Sequence, residues 1–107
     1  MDDTENSETE DLAMEIIANS GAARSSAEEG LALAKKGEFA EAKAKMALAQ
    51  SSLKLAHGFH SKLLKLGASG APESVLMAHA QDHVMTTMLA VDLIGDIIDL
   101  YEDKVDK

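Results

Sequence analysis

The chain has 107 residues, a formal net charge of −9, 46% hydrophobic residues and no cysteine. That length fits one domain around a single core, and the missing thiols exclude disulfides, thiolate metal sites and cysteine nucleophiles. The acidic balance argues against a nucleic-acid or anionic-membrane partner, because the net charge of −9 repels a polyanion and no basic excess offsets its phosphates.

Aromatic residues make up only 3%, and Trp is absent. The core must therefore be small residues, Leu and Met packed closely, a composition that favours helices. A solvated acidic coat is the default role for the net charge; steering towards a basic partner surface is the functional alternative. No apolar run approaches the roughly 20 residues that a transmembrane helix needs. The acidic start Met1-Asp2-Asp3-Thr4-Glu5 has no feature of a signal or transit peptide, so a cytoplasmic location is expected.

The order of elements follows from periodicity and punctuation. Residues 1–7 read as a disordered acidic tail, with the helical domain spanning 8–107. Ser7 and Glu10 fit a capping box that would open the first helix, expected over about 8–36. Along it Leu12, Ile16, Ala23, Ala27, Leu31 and Ala34 mark one face. Ser20 falls on the same face beside Gly21, where small residues let another helix approach. Lys35 and Lys36 suit the last turn, and Gly37 can take the left-handed stop.

The second helix, expected over about 38–66, has the most regular pattern. Phe39, Ala42, Met46, Ala49, Leu53, Ala56, His60 and Leu63 alternate steps of three and four, a heptad seam. His60 interrupts that seam with a polar ring, and Gly58 costs about 1 kcal/mol relative to Ala in mid-helix. Leu48, Leu55 and Leu64 lie off the seam and point to a second buried contact. Gly67-Ala68-Ser69-Gly70-Ala71-Pro72 reads as a loop, with Pro72 placed where a third helix, about 73–103, can start. Glu73 and Ser74 suit its first turn. Nothing reads as a strand, so the expected fold is all-α: an antiparallel, up-down-up three-helix bundle.

The third helix carries an anomaly. At helical spacing Val75, Leu76, His79, Asp82, His83, Thr86, Ala90, Leu93, Ile97 and Leu100 share about a third of the circumference. This expected burial stripe is apolar at its ends and ionisable in the middle. Unpaired polar groups in such a stripe cost about 1–3 kcal/mol each, so packing alone does not account for them. Met85, Met88, Leu89, Val91, Ile94 and Ile98 widen the apolar surface beyond what two neighbours need. In so small a chain the cover must come partly from other copies, hence a homo-oligomer.

Three readings compete for His79, Asp82 and His83. Two helical histidines four apart, with a carboxylate, can bind zinc, although Ala80 stands where a zinc-protease helix has Glu. They can also be core histidines satisfied by Asp82. Finally, an imidazole with pKa near 6.5 is largely neutral at cell pH and can accept a phosphoryl group as a nucleophile. Spacing alone leaves these open. His57 and His60 form a second pair, read as an exposed neighbour and a seam residue. No glycine-rich phosphate loop precedes a Lys, so nucleotide hydrolysis is unsupported.

The segment Val75-Leu76-Met77-Ala78-His79-Ala80-Gln81-Asp82-His83-Val84-Met85-Thr86 resembles the signature helix of the lactose/cellobiose class of enzyme IIA in the sugar phosphotransferase system. Ile16 to Ser25, Lys35-Lys36-Gly37-Glu38-Phe39, Ala56-His57 and Ala90 to Tyr101 resemble other parts of that family, in order. The resemblance implies a homotrimer of three-helix subunits, a nine-helix bundle. It implies that His79 is phosphorylated by the phosphohistidine of HPr and passes the group to a cysteine of enzyme IIB. Asp82 would face the trimer axis, where a divalent ion such as Mg²⁺ can bind; no organic cofactor is implied. Gln81 and His83 match the motif in supporting roles, and Gln81 would act across a subunit boundary. His60 stands where relatives often have Gln. The sugar, of a lactose, cellobiose or chitobiose type, is selected by the membrane permease. The rival reading is a non-catalytic helical oligomerisation or adaptor module whose His/Asp cluster binds metal.

Overall fold

The computed structural model describes residues 3–70 and 74–106, and these form three α-helices in sequence: α1 (Asp3–Lys35), α2 (Phe39–Ala68) and α3 (Val75–Asp106). They lie side by side in a rod of 61 × 17 × 16 Å. No strand occurs among the described residues. The helices run up, down and up, as their short connections require.

α1 starts earlier than the capping-box reading places it. Asp3 to Ser7 are helical where a disordered tail is expected; residues 1 and 2 of that expected tail lie outside the described residues. Glu8 and Glu10 place negative charge near the positive end of the helix dipole, which suits a helix start on this acidic stretch. The other end closes as expected. Gly37 takes φ +82°, its N–H bonds the Ala34 carbonyl, and the Glu38 N–H bonds the Leu33 carbonyl, both at 3.0 Å. That is the Schellman arrangement, and only glycine adopts this φ without strain.

α2 runs two residues further than periodicity predicts, taking in Gly67 and Ala68 from the expected loop. The Ser69 N–H then bonds the carbonyls of Lys65 and Leu66, and Gly70 turns the chain at φ +95°. Pro72 and Glu73, expected to start α3, lie outside the described residues. Ser74 precedes α3 rather than lying in its first turn: the Met77 N–H donates to Ser74 Oγ at 3.1 Å, an N-cap bond.

The seam read along α2 is the core. Ala42, Ala49, Leu53, Ala56, His60 and Leu63 are all buried, facing Ala13, Ile16, Ala23 and Ala27 of α1. Small residues bring the two helices close together. A Cβ at Gly30 would stand 3.1 Å from the Ala42 carbonyl oxygen, a contact only glycine permits without a shift. α3 closes the core with Met77, Ala80, Val84, Val91 and Ile98. Leu48, Leu55 and Leu64, expected to make a second buried contact, are exposed in the single chain.

Candidate functional site

The inward face of α3 is offset from the stripe that periodicity picked out. Met77, Ala80, Val84, Thr87, Val91 and Ile98 are buried, whereas Val75, His79, Asp82, Thr86, Leu93, Ile97 and Leu100 are exposed. The expected burial stripe is therefore the outward face of the helix. The reason is the breadth of apolar surface on α3: two apolar arcs exist, and α1 and α2 together cover only one. Exposure reaches 89% at Val75, 60% at Leu89 and 67% at Leu100. An apolar row of this length on water is unusual for a surface with no partner.

His79 sits on that row one turn from His83. Their rings stack with centroids 5.8 Å apart and 12° between planes. His79 is exposed and His83 half-buried, and neither ring makes a hydrogen bond or ion pair among the described residues. This removes the core-histidine reading for His79, because its ring is open to solvent. Asp82, also exposed, likewise forms no ion pair with either histidine. Thr86 turns its hydroxyl back on the helix, donating to the carbonyls of Asp82 and His83 at 2.8 and 3.2 Å.

The remaining motif residues separate by face. Gln81 is half-buried on the opposite side of α3 from His79, lining a small cleft with Ser74, Met77 and Ala78. Within one chain it cannot reach the His79 ring. His60 is buried in the α2 seam, and burial, with His57 beside it, holds its pKa below the ordinary histidine value. His57 is exposed. Among the described residues no three His, Asp or Glu side chains come together as a metal site. The Asp82 carboxylate is exposed, a hard oxygen donor that suits Mg²⁺ only if other copies bring more oxygen ligands to it.

One feature of the neighbourhood has no motif to announce it. Ser51, Lys54, Leu55, Gly58, Phe59 and Lys62 line a shallow cleft on the outer side of α2, with the Lys62 ammonium 5.6 Å from the centre of the Phe59 ring. The sequence signal is compositional: residues 42–72 hold five lysines and no acidic residue. An exposed neutral imidazole, whose one unprotonated ring nitrogen carries an available lone pair, can act as a nucleophile without a metal or a separate base. No helix among the described residues is long and apolar enough to cross a membrane.

The chain's relatives carry the same architecture. Residues 11–102 match the family model described as the lactose/cellobiose-specific IIA subunit of the PTS system. The chain is 45% identical over 101 residues to the N,N'-diacetylchitobiose-specific EIIA component of Escherichia coli (strain K12), covering 92% of this chain and 87% of that protein. The crystal structure of the cellobiose-specific enzyme IIA from Bacillus anthracis superposes with a TM-score of 0.86 at 40% identity, over 92% of this chain and 93% of that one. The solution structure of the IIA(chitobiose)–HPr complex of the E. coli phosphotransferase system gives 0.80 at 42% identity, over 92% and 97%. The chain thus belongs to the lactose/cellobiose-specific IIA family of the sugar phosphotransferase system.

Proposed function

We propose that this chain is a cytoplasmic phosphocarrier that takes a phosphoryl group on His79 from phospho-HPr and hands it to a cysteine of a cognate enzyme IIB. The observation that carries this reading is the open, unbonded His79 ring in the middle of an exposed apolar row. The family supports it, and a solved relative in complex with HPr supports the choice of donor.

In the first transfer a lone pair on His79 attacks phosphorus as the N–P bond of HPr breaks. The departing imidazole takes up a proton while the second nitrogen of His79 gives one up, so charge balances. The thiolate of enzyme IIB then attacks the same phosphorus as the His79 N–P bond breaks, and the departing His79 ring takes a proton back from solvent to leave as a neutral imidazole. Such transfer needs little from the protein beyond positioning and electrostatic support. His83, stacked on His79, restricts the orientation of that ring.

The working form is a homotrimer with α3 innermost, giving a nine-helix bundle. The uncovered row from Val75 to Leu100 favours this, as does the exposure of Leu89 and Leu93. Asp82 then approaches its two counterparts at the axis. Three carboxylates in contact repel, so they share a cation such as Mg²⁺ or hold a proton. On that arrangement Asp82→Leu keeps or strengthens the trimer. Dissociation of the variant at concentrations where the wild type stays trimeric would count against axial placement. The sugar is of the lactose, cellobiose or chitobiose type carried by the relatives' systems.

The deciding experiment is phosphorylation with phosphoenolpyruvate, enzyme I and HPr. The chain should gain an acid-labile, alkali-stable phosphate. His79→Ala should abolish it, while His83→Ala and His57→Ala should still accept it. No mass change, with metal bound in proportion to the histidines, would establish an adaptor module instead.

A further inference from the structure

Charge in this chain is sorted by helix. Residues 1–23 hold seven acidic residues and no Lys or Arg, and residues 74–103 contain no Lys or Arg either. The lysines near the His79 end all lie on α2. Lys43 and Lys45 are paired with Glu102 and Glu29, at 2.9 and 2.8 Å. Lys54, Lys62 and Lys65 form no ion pair among the described residues.

The level of each lysine along the rod follows from the register of α2 against α3. Lys43 meets Glu102, the Met46 methyl lies 3.9 Å from the Cβ position of Gly95, and Gln50 lines one cleft with Asp92. Both helices advance by the same rise of about 1.5 Å per residue, so the antiparallel register continues to Lys62 opposite His79. Lys62 does not face His79 within the chain. It is exposed on the side of α2 away from the seam, held over the ring of Phe59.

A threefold axis parallel to the rod changes which helix stands beside His79 but not its height. On the trimer and phosphocarrier reading above, a neighbouring α2 comes alongside the groove of each His79, and Lys62 is again at its level. We propose that Lys62 of the neighbouring copy is the cation that holds the phosphoryl group on His79, so that each site is built from two copies. A phosphoryl group brings a charge of about −2. No Lys or Arg of α1 or α3 at that level can answer it. Charge complementarity therefore selects a second copy as the occupant of this face of α2.

The test is the phosphorylation equilibrium at fixed phosphoenolpyruvate and pyruvate, with catalytic enzyme I and HPr, in low salt. If the neighbouring charge stands about 7 Å from the phosphoryl in a partly screened groove, reversing it shifts the equilibrium by about tenfold. Lys62→Glu is expected to lower the ratio of phosphorylated to free protein by that factor, and Lys62→Arg to restore it. High salt should shrink the difference. Lys62→Met, which keeps the aliphatic stem over Phe59, should shift the ratio by about threefold in the same direction, and it serves if the charge reversal disturbs folding. Mixed trimers address the boundary. When Lys62→Glu copies are assembled with an excess of His79→Ala copies, only the former can carry phosphate, and their ratio should return towards the wild-type value. A ratio within twofold of wild type for Lys62→Glu, or no recovery in mixed trimers, overturns the proposal. A wild-type chain that takes no phosphate overturns the phosphocarrier reading itself, and the two failures are told apart in the same assay.

Discussion

Two mid-helix glycines make opposite predictions for the same substitution. Replacing Gly with Ala in a helix interior gains about 0.8–1 kcal/mol from backbone entropy alone. At Gly58 a new Cβ meets nothing of its own chain within 4 Å, so no intrachain contact opposes the gain. At Gly30 the same methyl meets the Ala42 carbonyl oxygen at 3.1 Å, Met46 Sδ at 3.2 Å and Lys45 Cβ at 3.4 Å. Methionine can swing aside, but a backbone oxygen moves only if α1 lifts off α2. Overpacking of that kind costs about 1–3 kcal/mol, which cancels or exceeds the gain. For a chain of about 100 residues 1 kcal/mol moves Tm by roughly 4–5 °C. Thermal unfolding followed by circular dichroism, at one protomer concentration, should place Gly58→Ala about 4 °C above wild type and Gly30→Ala at or below it. Equal stabilisation by both variants would mean that the close approach of α1 and α2 at Gly30 is not a real constraint.

Four further outcomes follow from burial and charge. Among the described residues the fully buried Ser20 hydroxyl has no hydrogen-bond partner, so Ser20→Ala should raise stability by about 1 kcal/mol in urea unfolding. Leu63 is fully buried, and Leu63→Ala should cost about 2–5 kcal/mol, read as a lower urea midpoint at unchanged slope. His60 has a folded pKa below the ordinary histidine value of about 6.5, so the unfolded chain binds its proton first. Stability should therefore fall as pH drops below about 6.5 towards the folded pKa, and His60→Gln should flatten that part of the profile. Leu89→Asn with Leu93→Asn, both on the outward face, should leave helicity intact but lower the mass seen by sedimentation.

The seam of α2 was legible residue by residue because its period is uninterrupted and its neighbours are alanines. The turn at Gly37 was legible for the same kind of reason: one residue type meets one backbone requirement. α3 was harder. Its apolar residues cover two arcs, and periodicity cannot say which arc the chain's own helices bury, so the outward face was read as the inward one. His79 was legible as a polar residue out of place in an apolar row, but its openness was not, since exposure depends on which arc turns outward. Lys62 left no trace in spacing; only the absence of acidic residues over 42–72 marks it. The ends of α1 and α2 slipped by a few residues because acidic first turns and glycine–alanine runs can be helical without a motif to say so.

One helix presents both the adhesive row and the reactive ring, and this ties readiness to assembly. A newly made protomer shows water the strip from Val75 to Leu100, along with the imidazole set in it. On the proposed trimer, a protomer that has not yet met other copies is open to chaperones and proteases and does not work as a carrier. The cell's working stock should then fall off more steeply than its total stock as synthesis declines, a threshold in supply that lies in the surface chemistry of a single helix.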